Sequence, residues 1–325
     1  MNGNKGTSGE GNEGVLPKGT AISALGRSLP DLDTVVLSAL ALLETATLPS
    51  LPFELWNRSL VLGSGNAAVT GQLLFAHTDA RYANESMYED MLARHRDDIE
   101  SAVVISASGG KDADDMAHAL QKTGIPTWLL TNNANAPARA YIDPSRILLF
   151  PKAPEPNTYN VSTYMGMLLA QTREDPKAIA AHITDAVAPR VPGTLARYDA
   201  FYFIIPSRFI AMKEMFLTKF DELFGSRVSV RVCTLEQSKH AKTVVPSDTE
   251  CFVSFGSVQT LFGNEVSRVH IPLPENAGSA AMMALGYFVI GQIQKQHPPY
   301  FKDNIERYIQ TAFELFGERI SLIVE

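Results

Sequence analysis

The sequence predicts an α/β protein of two similar halves, each a parallel sheet with helices on both faces. Three observations carry this reading. Short apolar, β-branched runs alternate with segments whose apolar residues fall at helical spacing. Turns bearing glycine and serine follow the first strands and open helices, and the strand–helix order that begins near residue 59 begins again near residue 200. Alternation at this spacing implies parallel pairing, because each crossover must return over a face of the sheet.

Residues 1–20 are rich in Gly, Asn and Ser without an apolar stretch, and are expected to form a disordered tail. Residues 32–48 crowd apolar side chains on one helical face, with Asp31 or Asp33 placed to cap it. A bend at Pro49, Pro52, Phe53 and Trp56 leads into strand 59–64, and Gly63-Ser64-Gly65-Asn66 turns that strand into a helix. Strand 102–106 follows, then the turn Ser106-Ala107-Ser108-Gly109-Gly110. A helix with Ala113, Met116, Ala117 and Leu120 on one face and strand 127–131 complete that unit. Strand 147–150, a Pro-rich connection and helix 158–172 close a first domain at 31–172.

Residues 173–197 are polar, punctuated by Pro176, Pro189 and Pro192, and predict a linker. A second domain at 198–325 repeats the architecture, with strands at 200–206, 227–234, 251–256 and 268–272 and helices at 208–224 and 279–294. A helix at 304–316 and a strand-like tail at 320–324 follow.

A chain of 325 residues suits two domains of ordinary size, and 45% hydrophobic against 19% charged residues fits a soluble globular protein. The net charge of −7, with no stripe of Lys and Arg, argues against a nucleic-acid partner. The longest apolar candidate, 34–48, is too short to span a membrane and carries Glu44. Cys233 and Cys251 fall in apolar runs without metal-ligand spacing, and the histidines do not cluster. No metal or cofactor is expected, and the cysteines read as reduced in a cytoplasmic protein.

The turn at 106–110 has the chemistry of a phosphate seat. Glycines let the backbone approach a ligand, two hydroxyls offer hydrogen bonds, and the following helix presents its N–H groups and the positive end of its dipole. A strand-to-helix turn capped by Ser108 is the plainer alternative. The earlier turn, Gly63-x-Gly65-x-x-Ala68, matches a dinucleotide fingerprint loosely. Such a site also needs an acidic residue closing the next strand. Asp79 and Glu85 are in range, but no clear strand leads to either.

The pattern Val-Ile-Ser-Ala-Ser-Gly, then Asp112, Asp114, Ala119 and Gly124, then Leu-Thr-Asn at 130–132, resembles the core signature of the sugar isomerase (SIS) domain family. The resemblance implies two tandem SIS-like three-layer α/β/α domains, flavodoxin-like or Rossmann-like, that bind a small sugar phosphate. It implies Ser106, Ala107, Ser108 and Gly109 on the phosphate, with Lys111 where the family carries Ser or Thr. Ser64, beside Gly65, stands at a turn that lines the family's pocket. After Pro154-Glu155, one hydroxyl among Thr158, Ser162 and Thr163 would face the sugar; Ser162 is taken as the candidate. The second half resembles second SIS domains at Leu217-Thr-Lys219-Phe-Asp-Glu222-Leu.

Isomerising a sugar phosphate needs a base that moves a proton between adjacent carbons and an acid for the ring oxygen. Glu236 and His240 sit in a segment similar to the family's Glu-x-x-x-His-Gly, and a desolvated Glu with a His titrating near neutrality would share this work. On spacing alone, a solvated surface turn is the competing reading. Pro299-Tyr-Phe-Lys302 echoes a C-terminal lysine segment of the glucosamine-6-phosphate synthase group, which makes Lys302 a further candidate. The expected activity is aldose–ketose isomerisation by a homo-oligomer. Deglycation or deamination of a sugar-phosphate amine and non-catalytic phosphosugar sensing are the alternatives.

Overall fold

Helix α1 (Leu32–Thr45) buries Leu32, Val35, Val36, Ala39, Leu40 and Leu43, the stripe its sequence spacing predicts. The computed structural model to which it belongs describes residues 26–156, 158–240, 245–317 and 320–324, so the tail expected at 1–20 lies outside the described residues. Asp31 occupies the N-cap position of α1 without a side-chain cap bond. The Leu32 N–H instead donates to Gln294 Oε1 at 2.9 Å, so the cap is supplied from the far end of the sequence.

The first domain continues through β1 (Ser59–Leu62), α2 (Asn66–Leu74), β2 (Arg81–Ala83), α3 (Tyr88–His95), β3 (Ser101–Ile105), α4 (Lys111–Thr123), β4 (Thr127–Thr131) and β5 (Ile147–Leu149). Its five strands are all parallel and stand in the order β2-β1-β3-β4-β5. Leu60, Leu62, Ala102, Val104 and Leu129 pack on one face of the sheet and Val61, Val103, Ile105 and Leu130 on the other. Both faces are therefore dry, which is why these strands are apolar throughout. Strand β2 corrects the expectation that no strand leads toward Glu85. Its three residues, Arg81-Tyr82-Ala83, sit at the sheet edge and carry no apolar run to announce them.

A short β6 (Glu155–Pro156) precedes α5 (Val161–Thr172). The connection expected as a linker contains α6 (Pro176–His182) and buries Ile179, Ile183, Val187 and Leu195. It is a packed segment of the core. Then come β7 (Ala200–Ile204), α7 (Lys213–Phe224), β8 (Ser229–Cys233), α8 (Leu235–His240), β9 (Glu250–Phe255), β10 (Arg268–Ile271), α9 (Ser279–Gln296), α10 (Tyr300–Phe316) and β11 (Ile323–Val324). The second sheet is again parallel, in the order β10-β9-β7-β8. Relative to its first strand it repeats the order of the first sheet, as the architectural repeat predicts.

One apolar core runs through both domains, joining Leu32, Val61 and Leu168 to Phe203, Phe216 and Leu285. Helix α9 is its axis, with 14 of its 18 residues buried. It crosses α1 so closely that a Cβ on Gly291 would lie 2.0 Å from the Asp33 nitrogen, so only glycine fits the contact. After α10 the chain returns to the first domain, where β11 pairs antiparallel with β6, Ile323 opposite Pro156. No helix among the described residues is long and apolar enough to cross a membrane.

Candidate ligand-binding site

In a parallel sheet of order 2-1-3-4-5, strands β1 and β3 feed connections to opposite faces, which leaves a crevice beyond their carboxyl ends. A cavity of about 1340 Å³ opens there. Gly63 and Ser64 line it from the exit of β1, Ser106 and Ser108 from β3, and Asn132 and Asn133 from β4. Lys111 and Asp112, at the N-terminus of α4, Lys152 and Tyr164 complete the wall. Phe316, Gly317 and residues 320–323 form a roof.

The β3–α4 turn is held rigidly. Ser106 Oγ accepts the Gly109 N–H at 3.0 Å, and Ser108 Oγ accepts the Gly110 N–H at 3.3 Å. Gly109 adopts φ +60°, and a Cβ there would stand 2.4 Å from that of Ala136. The carbonyls of the turn are strapped to the β4 exit: Thr131 Oγ1 donates to Ala107 O at 2.8 Å and Asn133 Nδ2 to Ser108 O at 2.8 Å. Each serine hydroxyl keeps its own proton to donate, so the turn offers donors from a fixed frame.

Two polar atoms on the wall are sealed from bulk water without a partner among the described residues: Ser64 Oγ and Asn132 Oδ1. Asn132 is 7% exposed, and its Nδ2 is engaged by Thr163 Oγ1. Leaving a buried acceptor unpaired costs about 1–3 kcal/mol, and a ligand hydroxyl would recover it. Lys152 has no ion-pair partner among the described residues. Burial pushes the Tyr164 phenol up to about 12, against an opposing pull from the Ala107 N–H, so this wall residue stays protonated at neutral pH. The cavity thus offers hydroxyl donors, two ammonium groups and unsatisfied acceptors in one place.

Ser64, Ser106, Ser108 and Lys111 line the same cavity, while Gly65, Ala107 and Gly109 belong to the same turns without lining it. Ser162 is elsewhere engaged. Its hydroxyl donates to Glu155 Oε1 at 2.6 Å and accepts the Ala153 N–H at 3.0 Å, and the side chain is fully buried. Ser162 therefore does not face the cavity, because Glu155 uses it, with the N–H groups of Val161 and Ser162, to cap α5.

The acid–base candidates fall outside the cavity wall. Glu236 and His240 are exposed on α8, and Ser207 Oγ donates to Glu236 Oε2 at 3.3 Å. The Glu236 carboxyl is held below its ordinary range by its own N–H and the Thr234 hydroxyl, the opposite of the desolvated base the sequence suggested. Lys302 pairs with Asp31 Oδ1 at 2.9 Å.

Reasoning from sequence passed over Lys152, Tyr164 and the roof. Lys152 lies in a Pro-rich connection with no spacing signal, and the return of residues 320–323 to the first domain is a tertiary event. Asn132 was visible, as the last residue of Leu-Thr-Asn. The sequence named Lys219 and Glu222 within a resemblance but gave them no role; on α7 the buried Lys219 ammonium meets Glu222 Oε2 at 2.6 Å and donates to Thr158 O. Burial raises the Glu222 carboxyl above its ordinary value, opposed by the charge of Lys219. Glu222 in turn helps raise Tyr164, so its charge is felt at the cavity wall.

No family model and no curated protein matches the chain. Solved structures do. Glucosamine-6-phosphate deaminase from Thermotoga maritima aligns with TM-score 0.58 at 14% identity over 85% of this chain and 94% of that one. The C-terminal domain of glucosamine-fructose-6-phosphate aminotransferase from Francisella tularensis aligns with TM-score 0.56 at 13% identity, over 82% and 93%. Tagatose-6-phosphate ketose/aldose isomerase from Escherichia coli aligns with TM-score 0.52 at 16% identity, over 85% and 92%. Fold and cavity together define a two-domain α/β protein with a crevice at its first topological switch point. Its fold is the tandem sugar isomerase fold, in agreement with the resemblance read from residues 102–132.

Proposed function

We propose that the chain binds a phosphosugar in the cavity beyond β1 and β3 and isomerises it between aldose and ketose forms. The observation that carries this reading is the strapped Ser106–Gly110 turn, flanked by Lys111 and Lys152, with two orphaned acceptors at Ser64 and Asn132. Donors from the turn and the ammonium groups suit a phosphate monoester, and Ser64 Oγ and Asn132 Oδ1 suit hydroxyls of the sugar.

Aldose–ketose conversion removes a proton from C2, passes through an enediol and returns a proton to C1 while the hydroxyl proton moves between the two oxygens. A base for this step works best with a pKa near neutrality. Neither Glu222 nor Glu236 lines the cavity; burial raises the carboxyl of the first while hydrogen bonds lower that of the second, so of the two only Glu222 is shifted in the direction a base needs. A role for Glu236 and His240 would need a second chain to bring them to the cavity.

A second reading has its own support. Asp112 is the one carboxylate among the described residues of the cavity wall, which suits a protein that binds a phosphosugar without turning it over. Deamination of a sugar-phosphate amine would use the same pocket. A panel of hexose and amino-sugar phosphates, screened by thermal shift and then assayed for isomerisation and ammonia release, separates the three. Binding with interconversion supports the isomerase, binding with ammonia release the deaminase, and binding alone the sensor.

A further inference from the structure

We propose a second anion site, for a small organic phosphate, in a cavity at the opposite edge of the second sheet. This cavity of about 400 Å³ is lined by Arg190, Thr194, Arg197, Tyr198, Arg268 and His270, among others, and shares no residue with the first. It opens near the amino ends of β7, β9 and β10, where Tyr198 precedes β7 and Arg268 begins β10. A volume of 400 Å³ falls inside the range of about 300–1,000 Å³ typical of small-molecule sites.

Charge is the argument. Three arginines line one cavity in a chain of net charge −7, and the described wall holds no Asp or Glu. No carboxylate among the described residues pairs with any of the three. The carboxylate whose charge reaches the cavity's Cys251 is Glu250, which is already paired with Arg231. Backbone carbonyls fix the arginines: Arg268 donates from Nε to Phe262 O at 2.8 Å and from Nη2 to Gly263 O at 2.6 Å, Arg197 Nη2 donates to Val266 O at 2.6 Å, and Arg190 Nη1 to Ala186 O at 2.5 Å. Each guanidinium carries five N–H donors, so these bonds orient the groups and leave donors to spare. Oriented cations without a counter-charge form a seat that an anion with several oxygens neutralises. A hydroxyl from Thr194 adds an uncharged donor on the same wall.

Hydrogen exchange of the full-length chain tests this without any substitution. Inorganic phosphate, fructose 6-phosphate and AMP are added in turn, and amide protection is read at residues 190–198 and 266–270. We expect protection there with at least one probe, the strongest of the three identifying the source of the phosphate. Protection confined to the first cavity, or absent with all three, overturns the proposal. The Arg190→Gln/Arg197→Gln variant is expected to weaken the protective binding by about tenfold or more, while leaving protection at residues 106–110 unchanged. An unaltered affinity in that variant, checked for folding by its melting temperature, also overturns it. Ser106→Ala/Ser108→Ala acts on the first cavity alone, so failure of one site is distinguishable from failure of the other.

Discussion

Asn132 shows how a single side chain links frame to ligand: Nδ2 ties β4 to Thr163, while Oδ1 waits unpaired at the cavity. Lys152 stands on the same wall with its charge unmatched by any described carboxylate. Replacing Lys152 with alanine is expected to weaken sugar-phosphate binding about tenfold and leave the melting temperature unchanged, as measured by calorimetry and thermal melts. The base is tested by comparing two substitutions. If Glu222 moves the proton, Glu222→Gln retains affinity and loses turnover by at least about 100-fold, the scale of general acid–base catalysis. Loss of turnover in Glu236→Gln with full turnover in Glu222→Gln would reverse the assignment.

Among elements, the β3–α4 turn and the returning tail matter most. Gly109 has φ +60° and abuts Ala136, so Gly109→Ala should cost about 1–3 kcal/mol in urea unfolding and distort the turn that carries Ser106 and Ser108. A chain ending at Gly317 loses the β11–β6 pairing and the roof, and should release ligand faster with its association rate little changed. Strands β1, β3, β4 and β7 were legible because burial on both faces makes them continuous apolar runs, and the Ser-Ala-Ser-Gly-Gly turn was legible because its residue types are dictated by its geometry. Strand β2 was not, since a three-residue edge strand has one neighbour and needs no apolar run. The roof escaped because its place depends on contacts between segments more than 100 residues apart, and Lys152 because its Pro-rich connection carries no spacing signal. The resemblance at 235–240 pointed to exposed groups, whereas the resemblance at 217–223 included the buried Lys219 and its partner Glu222 without giving either a role.

For the molecule as a whole, the two domains behave as one body because α9 threads a common core and the Lys219–Glu222 pair ties α7 to the Thr158 carbonyl of the first domain. Removing the ammonium with Lys219→Met leaves the Glu222 carboxylate, 27% exposed, without its cation, at a cost of about 1–3 kcal/mol near pH 7. Burial raises the Glu222 carboxyl, so the folded chain binds its proton more readily than the unfolded one. Stability from this group is therefore fully present below the unfolded value, about 4.3, and is lost as pH rises through the raised folded value. The penalty of Lys219→Met should accordingly shrink as pH falls through that window, when protonated Glu222 no longer needs a cation. Urea melts across this range that show a pH-independent penalty would refute the coupling.

The central claim is that the hydroxyl-bearing turn after β3 captures a phosphate monoester. Isothermal titration of a sugar phosphate that binds the wild-type chain, repeated on Ser106→Ala/Ser108→Ala, tests it most directly. Loss of two hydrogen bonds to a charged group predicts affinity lower by about 100-fold or more, with the fold retained by circular dichroism. Equal affinity in the folded double variant would contradict it.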